Sequence, residues 1–322
     1  MRHLDDATIL DLIDLPAVTG RMAEAFAAWG RGEAATTTRV RAAGGGGMAS
    51  AMAAVVPPFS GGKVYATRDG RFTFVIVLFD VGGRLLCTLD GDAVTRLRTP
   101  ATCALAVRHL AAPGARVAAV VGAGRQAAPH LVMLRDELPG LAEVRVHARR
   151  PDAARRLVDH ARTQGVPAVV APSAVAAVEG AEVVVTVTSA REPLFPASVV
   201  GDRTLLCAVG ATKHDRCEIA PEIVGRCVAV VADDVTGART ECGDLIRAEA
   251  AGRFSWDRAV ELHALAAGTA MVPRAGSGPV LFETQGVALQ DVAAAGLAWQ
   301  RYQPRAAGPG DPLLRETEEL PT

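Results

Sequence analysis

A short glycine-rich turn, residues 122–127, has the residue types that bind the phosphates of a dinucleotide. Its sequence, GAGRQA, follows the pattern G-x-G-x-x-G/A. The first glycine of this pattern permits a tight turn, the second lets the backbone approach a pyrophosphate, and a small third residue lets the next helix pack closely. The N–H groups that begin such a helix bind phosphate. We therefore expect Gly122, Ala123, Gly124, Arg125 and Gln126 to bind a dinucleotide; the alternative is a plain glycine turn of another α/β protein.

The residues after the second predicted strand of this unit decide which dinucleotide is favoured. An acidic residue there would accept hydrogen bonds from the adenosine ribose, as is common in NAD-binding proteins. The chain instead has Arg149 and Arg150 after the strand at residues 143–147. Two guanidinium groups can bind a 2′-phosphate, and no carboxylate repels it. The pattern favours NADP(H). If these arginines are solvated residues of the following helix, NAD(H) is usable as well.

A third candidate site, one that could bind an anion, lies at residues 98–100. Pro100 suits the first turn of a helix and Thr99 suits its N-cap, so Arg98 is predicted at the start of that helix. An arginine beside free N–H groups can bind a substrate carboxylate or a cofactor phosphate. The alternative is an ordinary surface ion pair of Arg98.

The elements around the glycine turn predict the fold that positions these residues. Residues 117–121 are small and apolar, which is typical of a strand buried on both faces, and residues 126–137 are predicted to be helical. Further strand and helix patterns follow, so we predict a doubly wound parallel sheet of the Rossmann type. Ligands of such sheets lie beyond the carboxyl ends of the strands. Those ends include Thr188, Ser189, Val209, Gly210 and Thr212.

The sequence pattern of about the first hundred residues predicts an antiparallel β region with helices and not a second nucleotide-binding unit. Helices are expected at residues 7–13 and 16–30, and strands at 36–41, 48–56, 71–80 and 84–89. The last two strands form a hairpin. Residues 60–62 are predicted to form a loop that presents Lys63, for which an ordinary surface lysine is the alternative. Met52 could line a side-chain pocket, although core packing is the commoner role.

Composition and charge narrow the classes of partner. The 322 residues carry a formal net charge of −1, which gives no reason to expect a nucleic acid or an anionic membrane as partner. We expect neither a secretory signal nor a membrane span, since no uncharged apolar run approaches the roughly 18 residues a span needs. Six scattered cysteines predict reduced thiols of a cytoplasmic protein, with disulfides as the alternative. No metal site is expected.

The order and spacing of several motifs resemble the ornithine cyclodeaminase/μ-crystallin family. They are Arg39, Met52, Lys63, TRLRT at 95–99, GAGRQA at 122–127, AVGATKHDRCE at 208–218 and FETQGVALQD at 282–291. The resemblance covers about the first 300 residues. It implies a homodimer with a Rossmann NAD(P)-binding domain, residues 115–302, and an α+β dimerisation and substrate domain, residues 1–114. The end of the chain, about 303–322, is expected to complete the latter.

The resemblance also implies roles for individual residues. Arg39, Lys63 and Arg98 would bind the carboxylate of an amino or imino acid beside the nicotinamide. Lys63 could also transfer a proton if the neighbouring arginines lower its pKa. Met52 and Thr212 would lie at the substrate pocket. The cofactor contacts implied are the glycine-turn residues and the two arginines after the second strand, together with Thr99, Thr188, Ser189, Val209, Gly210 and Gly286.

Thr212 is a departure from one branch of the family. Cyclodeaminases carry an aspartate at this position, which assists water addition or ring closure at the imine, and a threonine cannot act as a carboxylate base. The local pattern looks like that of ketimine reductases and some dehydrogenases. The predicted activity is NAD(P)H-dependent reduction of an α-imino acid, such as the cyclic ketimine pyrroline-2-carboxylate. Alternatives are an L-amino-acid dehydrogenase, a cyclodeaminase with another base, and a μ-crystallin-like NADPH-binding protein with little turnover.

Overall fold

The computed structural model describes residues 2–69 and 71–306, which build two separate β-sheets. The N-terminal part of the chain forms a mostly antiparallel sheet, and the following part forms a parallel sheet. The predicted combination of an α+β region with a doubly wound parallel sheet is therefore confirmed.

The first sheet is built around a meander of long strands. Its strands are β1 (Arg2–Leu4), β2 (Ala35–Thr36), β3 (Val40–Gly44), β4 (Gly47–Val56), β5 (Phe59–Arg68), β6 (Arg71–Asp80) and β7 (Leu85–Asp90). The order is β1-β7-β6-β5-β4-β2, with β3 also pairing β4. Along β4, Met52 and Ala54 are buried whereas Val55 is exposed, the alternation of a sheet covered on one face. The helices of this region are α1 (Asp6–Leu12), α2 (Leu15–Gly30) and α3 (Gly91–Leu110).

The second sheet is parallel throughout. Its strands are β8 (Val117–Val121), β9 (Glu143–His147), β10 (Ala168–Val170), β11 (Val183–Thr186), β12 (Leu205–Ala208), β13 (Ala229–Ala232), β14 (Ala259–Glu261) and β15 (Val280–Glu283). The order is β10-β9-β8-β11-β12-β15-β13-β14. Its central strands are buried along their whole length, because helices cover both faces. These helices include α4 (Ala127–Glu137), α5 (Pro151–Thr163), α6 (Ala174–Val178), α7 (Pro221–Arg226), α8 (Val235–Glu241), α9 (Gly243–Ala250) and α10 (Leu262–Ala266).

The last helix, α11 (Ala288–Ala306), leaves the second sheet and packs on the first. It contacts α2, α3, β4, β5 and β6. A Cβ atom added at Gly296 would lie 2.4 Å from the Phe59 ring, so this glycine permits the close approach of α11 to β5. The chain therefore rejoins the first sheet from residue 288, earlier than the expected return at about 303. The later part of that expected segment, 307–322, lies outside the described residues.

Lys63 lies in the middle of β5 and not in a loop, which corrects the sequence prediction. The turn before it is Pro57-Pro58, and the two glycines that suggested a loop lie within the strand. A Cβ at Gly61 would lie 2.1 Å from Val77 O, and one at Gly62 would lie 2.5 Å from Met52 O. The glycine pair thus marks close backbone approach between neighbouring strands.

Arg98 and Thr99 lie inside α3 and not at its start, which is a second correction. The helix begins at Gly91 and continues through Pro100, which lacks the N–H that would bond to the carbonyl of residue 96. The segment from 98 to 107 is buried throughout, so tertiary packing outweighs the local preference for a helix start at proline. The Thr99 hydroxyl does not cap a helix; it donates to Thr95 O at 2.8 Å within α3.

Two further observations concern the cysteines and the possibility of a membrane-spanning helix. All six cysteines are buried and have free thiols, as the sequence predicts. Among residues 2–69 and 71–306, no helix combines the length and apolar character that crossing a bilayer would require.

Candidate active site

A buried ion cluster joins β5, α3 and α11. Lys63 Nζ lies 2.8 Å from Asp291 Oδ1, and Arg98 Nε lies 3.4 Å from the same oxygen. All three side chains are at most 8% exposed. Two cations share one carboxylate, so the cluster has an excess of positive charge when Lys63 is protonated. A buried charge needs a partner, and a ligand carboxylate would supply it.

The environment of Lys63 suits proton transfer. The pKa of Lys63 is lowered to about 8. Burial is the largest cause and the charges of Arg98 and Arg39 act in the same direction, whereas Asp291 opposes the decrease. The sequence suggested the arginines as the cause, but desolvation is the larger effect. A side chain with a pKa near neutrality can both hold and release a proton at physiological pH.

The strand predicted at 36–41 is interrupted in the structure. Arg39 lies between β2, which ends at Thr36, and β3, which begins at Val40. Its Nη1 donates to Glu241 Oε2 at 2.6 Å, and its Nη2 donates to Gln285 O at 3.0 Å and Gly286 O at 2.7 Å. The Met52 sulfur lies 3.8 Å from the same Nη2. Arg39 therefore links the first sheet region to α8 and to the segment after β15, and its terminal nitrogens already have partners.

The segment after β15 links these cations. Gly286 has φ +80, and a Cβ there would lie 2.7 Å from Arg98 Nη1, so both conformation and space favour glycine. Asp233 accepts hydrogen bonds from Gly286 N at 2.8 Å and from the Thr284 hydroxyl at 2.5 Å. Gln290 accepts from Arg98 Nη1 at 2.6 Å. Backbone and side chains thus hold Arg98 in a fixed orientation.

The glycine turn has the shape of a phosphate cradle. Gly122 has φ +126, and a Cβ there would lie 2.7 Å from Val187 O, whereas a Cβ at Gly124 would meet nothing within 4 Å. Within the described residues, the backbone N–H groups of 123–126 donate to no other group. Open space above the second glycine and unused donors before α4 fit a dinucleotide pyrophosphate.

Thr95 connects this turn with the cationic cluster. Gln126 Nε2 donates to Thr95 O at 3.2 Å, and Lys63 Nζ lies 3.5 Å from Thr95 Oγ1. Arg98 follows three residues later on the same helix. Arg125 also contacts α3, through an ion pair of 2.9 Å with Asp92. The turn and the cluster therefore both contact the same turn of α3.

The loops after β11 and β12 are tied together by Glu218. Its carboxylate accepts hydrogen bonds from Thr188 N and Thr188 Oγ1, both at 2.6 Å, from Gly210 N at 2.7 Å and from Thr186 Oγ1 at 2.9 Å. Burial raises the pKa of Glu218 to about 7, against the lowering effect of the bonds from Thr188. Two of the predicted cofactor residues, Thr188 and Gly210, are thus positioned by one carboxylate.

The other predicted residues differ in their surroundings. Val209 is buried, Ser189 is exposed, and Thr212 donates its N–H to Gly210 O at 2.9 Å. In the described part of the chain, Thr212 makes no hydrogen bond to the cationic cluster. Arg149 and Arg150 are exposed beyond the carboxyl end of β9 and form no ion pair with any described residue.

Several residues of the site have no role in the sequence prediction. Asp291 had a detectable signal, because it is a single charge in the otherwise apolar start of α11 and would need a counter-ion. Glu241 had none, since its partner Arg39 is 202 residues away. Glu218 was part of a motif, but its role depends on the pairing of β11 with β12 and cannot be deduced from spacing.

The fold and the site define a class of protein in which a parallel sheet with a glycine-rich turn lies beside a buried cationic cluster built from β5, α3 and α11. A family model, "Ornithine cyclodeaminase/mu-crystallin family", matches residues 5–305. The chain belongs to this family.

Known relatives include enzymes of imino-acid metabolism. The chain is 34% identical over 256 residues to a Delta(1)-pyrroline-2-carboxylate/Delta(1)-piperideine-2-carboxylate reductase of Azospirillum brasilense, covering 79% of this chain and 76% of that one. A probable ornithine cyclodeaminase from Bordetella pertussis superimposes with a TM-score of 0.90 at 35% identity, covering 97% and 100% of the two chains. An archaeal alanine dehydrogenase dimer with bound NAD gives 0.89 at 25% identity, covering 96% and 98%.

Proposed function

We propose that this protein is an NAD(P)H-dependent oxidoreductase that reduces the C=N bond of an α-imino acid, with a cyclic ketimine such as pyrroline-2-carboxylate as the first candidate substrate. The observation that carries the proposal is the arrangement of Lys63 and Arg98 around Asp291, joined through Thr95 to the glycine turn. The family membership and the reductase relative support the same reaction.

Each residue of the cluster has a defined task in this reaction. A bound nicotinamide supplies a hydride to the α-carbon. Arg98 binds the substrate carboxylate, and its own orientation is fixed by Gln290 and Asp291. Lys63 donates a proton to the imine nitrogen as the C=N bond becomes CH–NH, and solvent restores that proton. Arg39 borders the site and binds the backbone carbonyls of Gln285 and Gly286. Positioning and charge account for most of the expected rate enhancement.

The surroundings of Thr212 favour reduction over ring closure with loss of ammonia. A cyclodeaminase would need a carboxylate there to act as a base. Asp215 is the acid of this loop, but it is 39% exposed and lies 3.2 Å from Arg191. Glu218 is buried and accepts four hydrogen bonds. Neither carboxylate is available as a base.

NADP(H) is the proposed cofactor, with NAD(H) as the alternative. Arg149 and Arg150 are exposed without ion-pair partners in the described residues, so both guanidinium groups are available to a 2′-phosphate. The NAD-bound relative shows that the fold also accommodates the form without this phosphate.

A homodimer formed through the first sheet is proposed as the assembly. Val40, Val64 and Val75 lie in one register row across β3, β5 and β6 and are 64%, 53% and 40% exposed. Contiguous exposed apolar side chains on one sheet face are typical of a protein interface. The free buried thiols fit a cytoplasmic location.

The test is an assay of the purified protein with NADPH or NADH and a panel of substrates. Loss of the reduced-nicotinamide absorbance with pyrroline-2-carboxylate alone supports the proposal. Loss only with a 2-oxo acid plus ammonia would instead identify an amino-acid dehydrogenase. Ammonia release from ornithine without net change in the cofactor would identify a cyclodeaminase. Tight cofactor binding without turnover would identify a binding protein.

A further inference from the structure

Two buried glutamines five residues apart differ in how their amides are used. The Gln290 amide accepts from Arg98 at 2.6 Å and donates to Asp233 at 3.3 Å. The Gln285 side chain is also buried, at 7% exposure, but neither Nε2 nor Oε1 has a hydrogen-bond partner. A buried amide without partners is destabilising, so native proteins rarely retain one without a reason.

Gln285 lines a pocket between the two domains. The other residues of its wall used here are Thr37, Arg39, Asp233, Asp234 and Glu241. Gly286 borders this pocket and also lies against the Arg98 guanidinium. Gly286 therefore places this pocket next to the residues around Arg98.

The charges of the wall restrict what that substituent can be. Asp233, Asp234 and Glu241 contribute three carboxylates, whereas Arg39 is the one cation of the wall and its terminal nitrogens are bonded to Glu241 and to backbone carbonyls. A second carboxylate on the substrate would be repelled here. An ammonium group would be attracted by these carboxylates, but it only donates hydrogen bonds, so Nε2 of Gln285 would stay without an acceptor.

We propose that a ring substituent of the substrate extends from Arg98 toward this pocket, and that Gln285 determines specificity by hydrogen bonding an uncharged hydroxyl on the α-imino acid. Such a group donates to Oε1 and accepts from Nε2, so it satisfies both unpaired atoms. This inference rests on the proposed reductase function. A hydrocarbon substituent would leave the amide unpaired, and binding sites built for hydrogen bonds discriminate against such analogues.

The experiment compares pyrroline-2-carboxylate with its ring-hydroxylated derivative. We expect the wild-type protein to show a kcat/KM about tenfold or more higher for the hydroxylated imine. Gln285→Leu should lower that ratio about tenfold and raise the Tm of the ligand-free protein, because the unpaired amide is removed. Gln300→Leu, the same change on an exposed face of α11, is the matched control and should leave the ratio unchanged.

Failure of this inference can be told apart from failure of the proposed function. If wild type reduces both imines and Gln285→Leu leaves their kcat/KM ratio unchanged, the specificity role is overturned while the reductase function stands. A wild-type preference for a dicarboxylic imine would also overturn it. If wild type reduces neither imine, the proposed function fails and the inference fails with it.

Discussion

At the scale of single residues, the proposed chemistry depends on Lys63, whose pKa of about 8 lies close to neutral pH. Lys63 is buried against one carboxylate and near two arginines, so desolvation and repulsion both favour its neutral form. Asp291 is the group that keeps the proton on Lys63 near neutral pH. In the proposed reaction, Lys63 is therefore the proton donor and Arg98 binds the substrate carboxylate.

This pKa predicts the pH dependence of the reaction. Lys63 is protonated below a pH of about 8 and neutral above it. Because imine reduction consumes the Lys63 proton, kcat/KM should be constant at lower pH and fall as the pH rises through about 8. Lys63→Arg cannot deprotonate in this range, so its residual activity should lack the break. A wild-type profile that stays flat through pH 8 would rule out Lys63 as the donor.

A second prediction concerns the two arginines after β9. Replacing both Arg149 and Arg150 by Ala should raise the KM for NADPH about tenfold or more, because charge-assisted hydrogen bonds to the 2′-phosphate are lost. The KM for NADH should change little. Arg156→Ala, on the exposed surface of α5, is the control. Equal changes for both cofactors would show that these arginines do not select NADPH.

At the scale of elements, Glu218 connects the loops that follow β11 and β12, beside the glycine turn. Glu218→Ala leaves Thr188 N and Gly210 N without their acceptor. We expect the Kd for NADPH to rise at least about tenfold, and Glu218→Gln, which keeps one acceptor oxygen, to have a smaller effect. Fluorescence titration measures both. Glu222→Ala, an exposed change nearby, is the control; unchanged Kd values in all three variants would refute this role.

The elements that sequence patterns predicted correctly are those fixed by local interactions. The strand, turn and helix from residue 117 to 137 and the hairpin at 71–90 follow from apolar runs and turn residues. The patterns failed where distant packing decides the structure. Pro100 lies within a helix because that helix is buried, and Gly61 lies within a strand because β6 approaches it closely. The partner of Lys63 depends on the return of α11. The partners of Arg39 lie on α8 and in the segment after β15. Neither set could be predicted from spacing.

At the scale of the whole molecule, a continuous hydrophobic core spans both sheet regions, and buried ion pairs add a second link between them. Glu241 on α8 accepts from Arg39 and also pairs with Arg41, and these two arginines flank the start of β3. The carboxylate is 6% exposed, so solvent screens it little. The Arg39–Glu241 ion pair lines the pocket that also contains Gln285 and Gly286.

The proposed dimer gives a test at the same scale. Val64→Lys places a charge in the middle of the exposed apolar face of the first sheet, so it should convert the dimer to a monomer in light scattering. Val170→Lys makes the same change on β10 at a similarly exposed valine and should leave the mass unchanged. A monomeric wild-type protein, or a dimeric Val64→Lys variant, would contradict an interface on this face.

The most direct test follows the hydride itself. The protein is incubated with pyrroline-2-carboxylate and NADPH that carries deuterium at the transferable C4 position, and the product is analysed by mass spectrometry and NMR. If the cationic cluster holds the imino-acid carboxylate beside a nicotinamide bound at the glycine turn, the product is proline with one deuterium at its α-carbon. Formation of proline without deuterium at that carbon, or no proline at all, would contradict the proposed reaction.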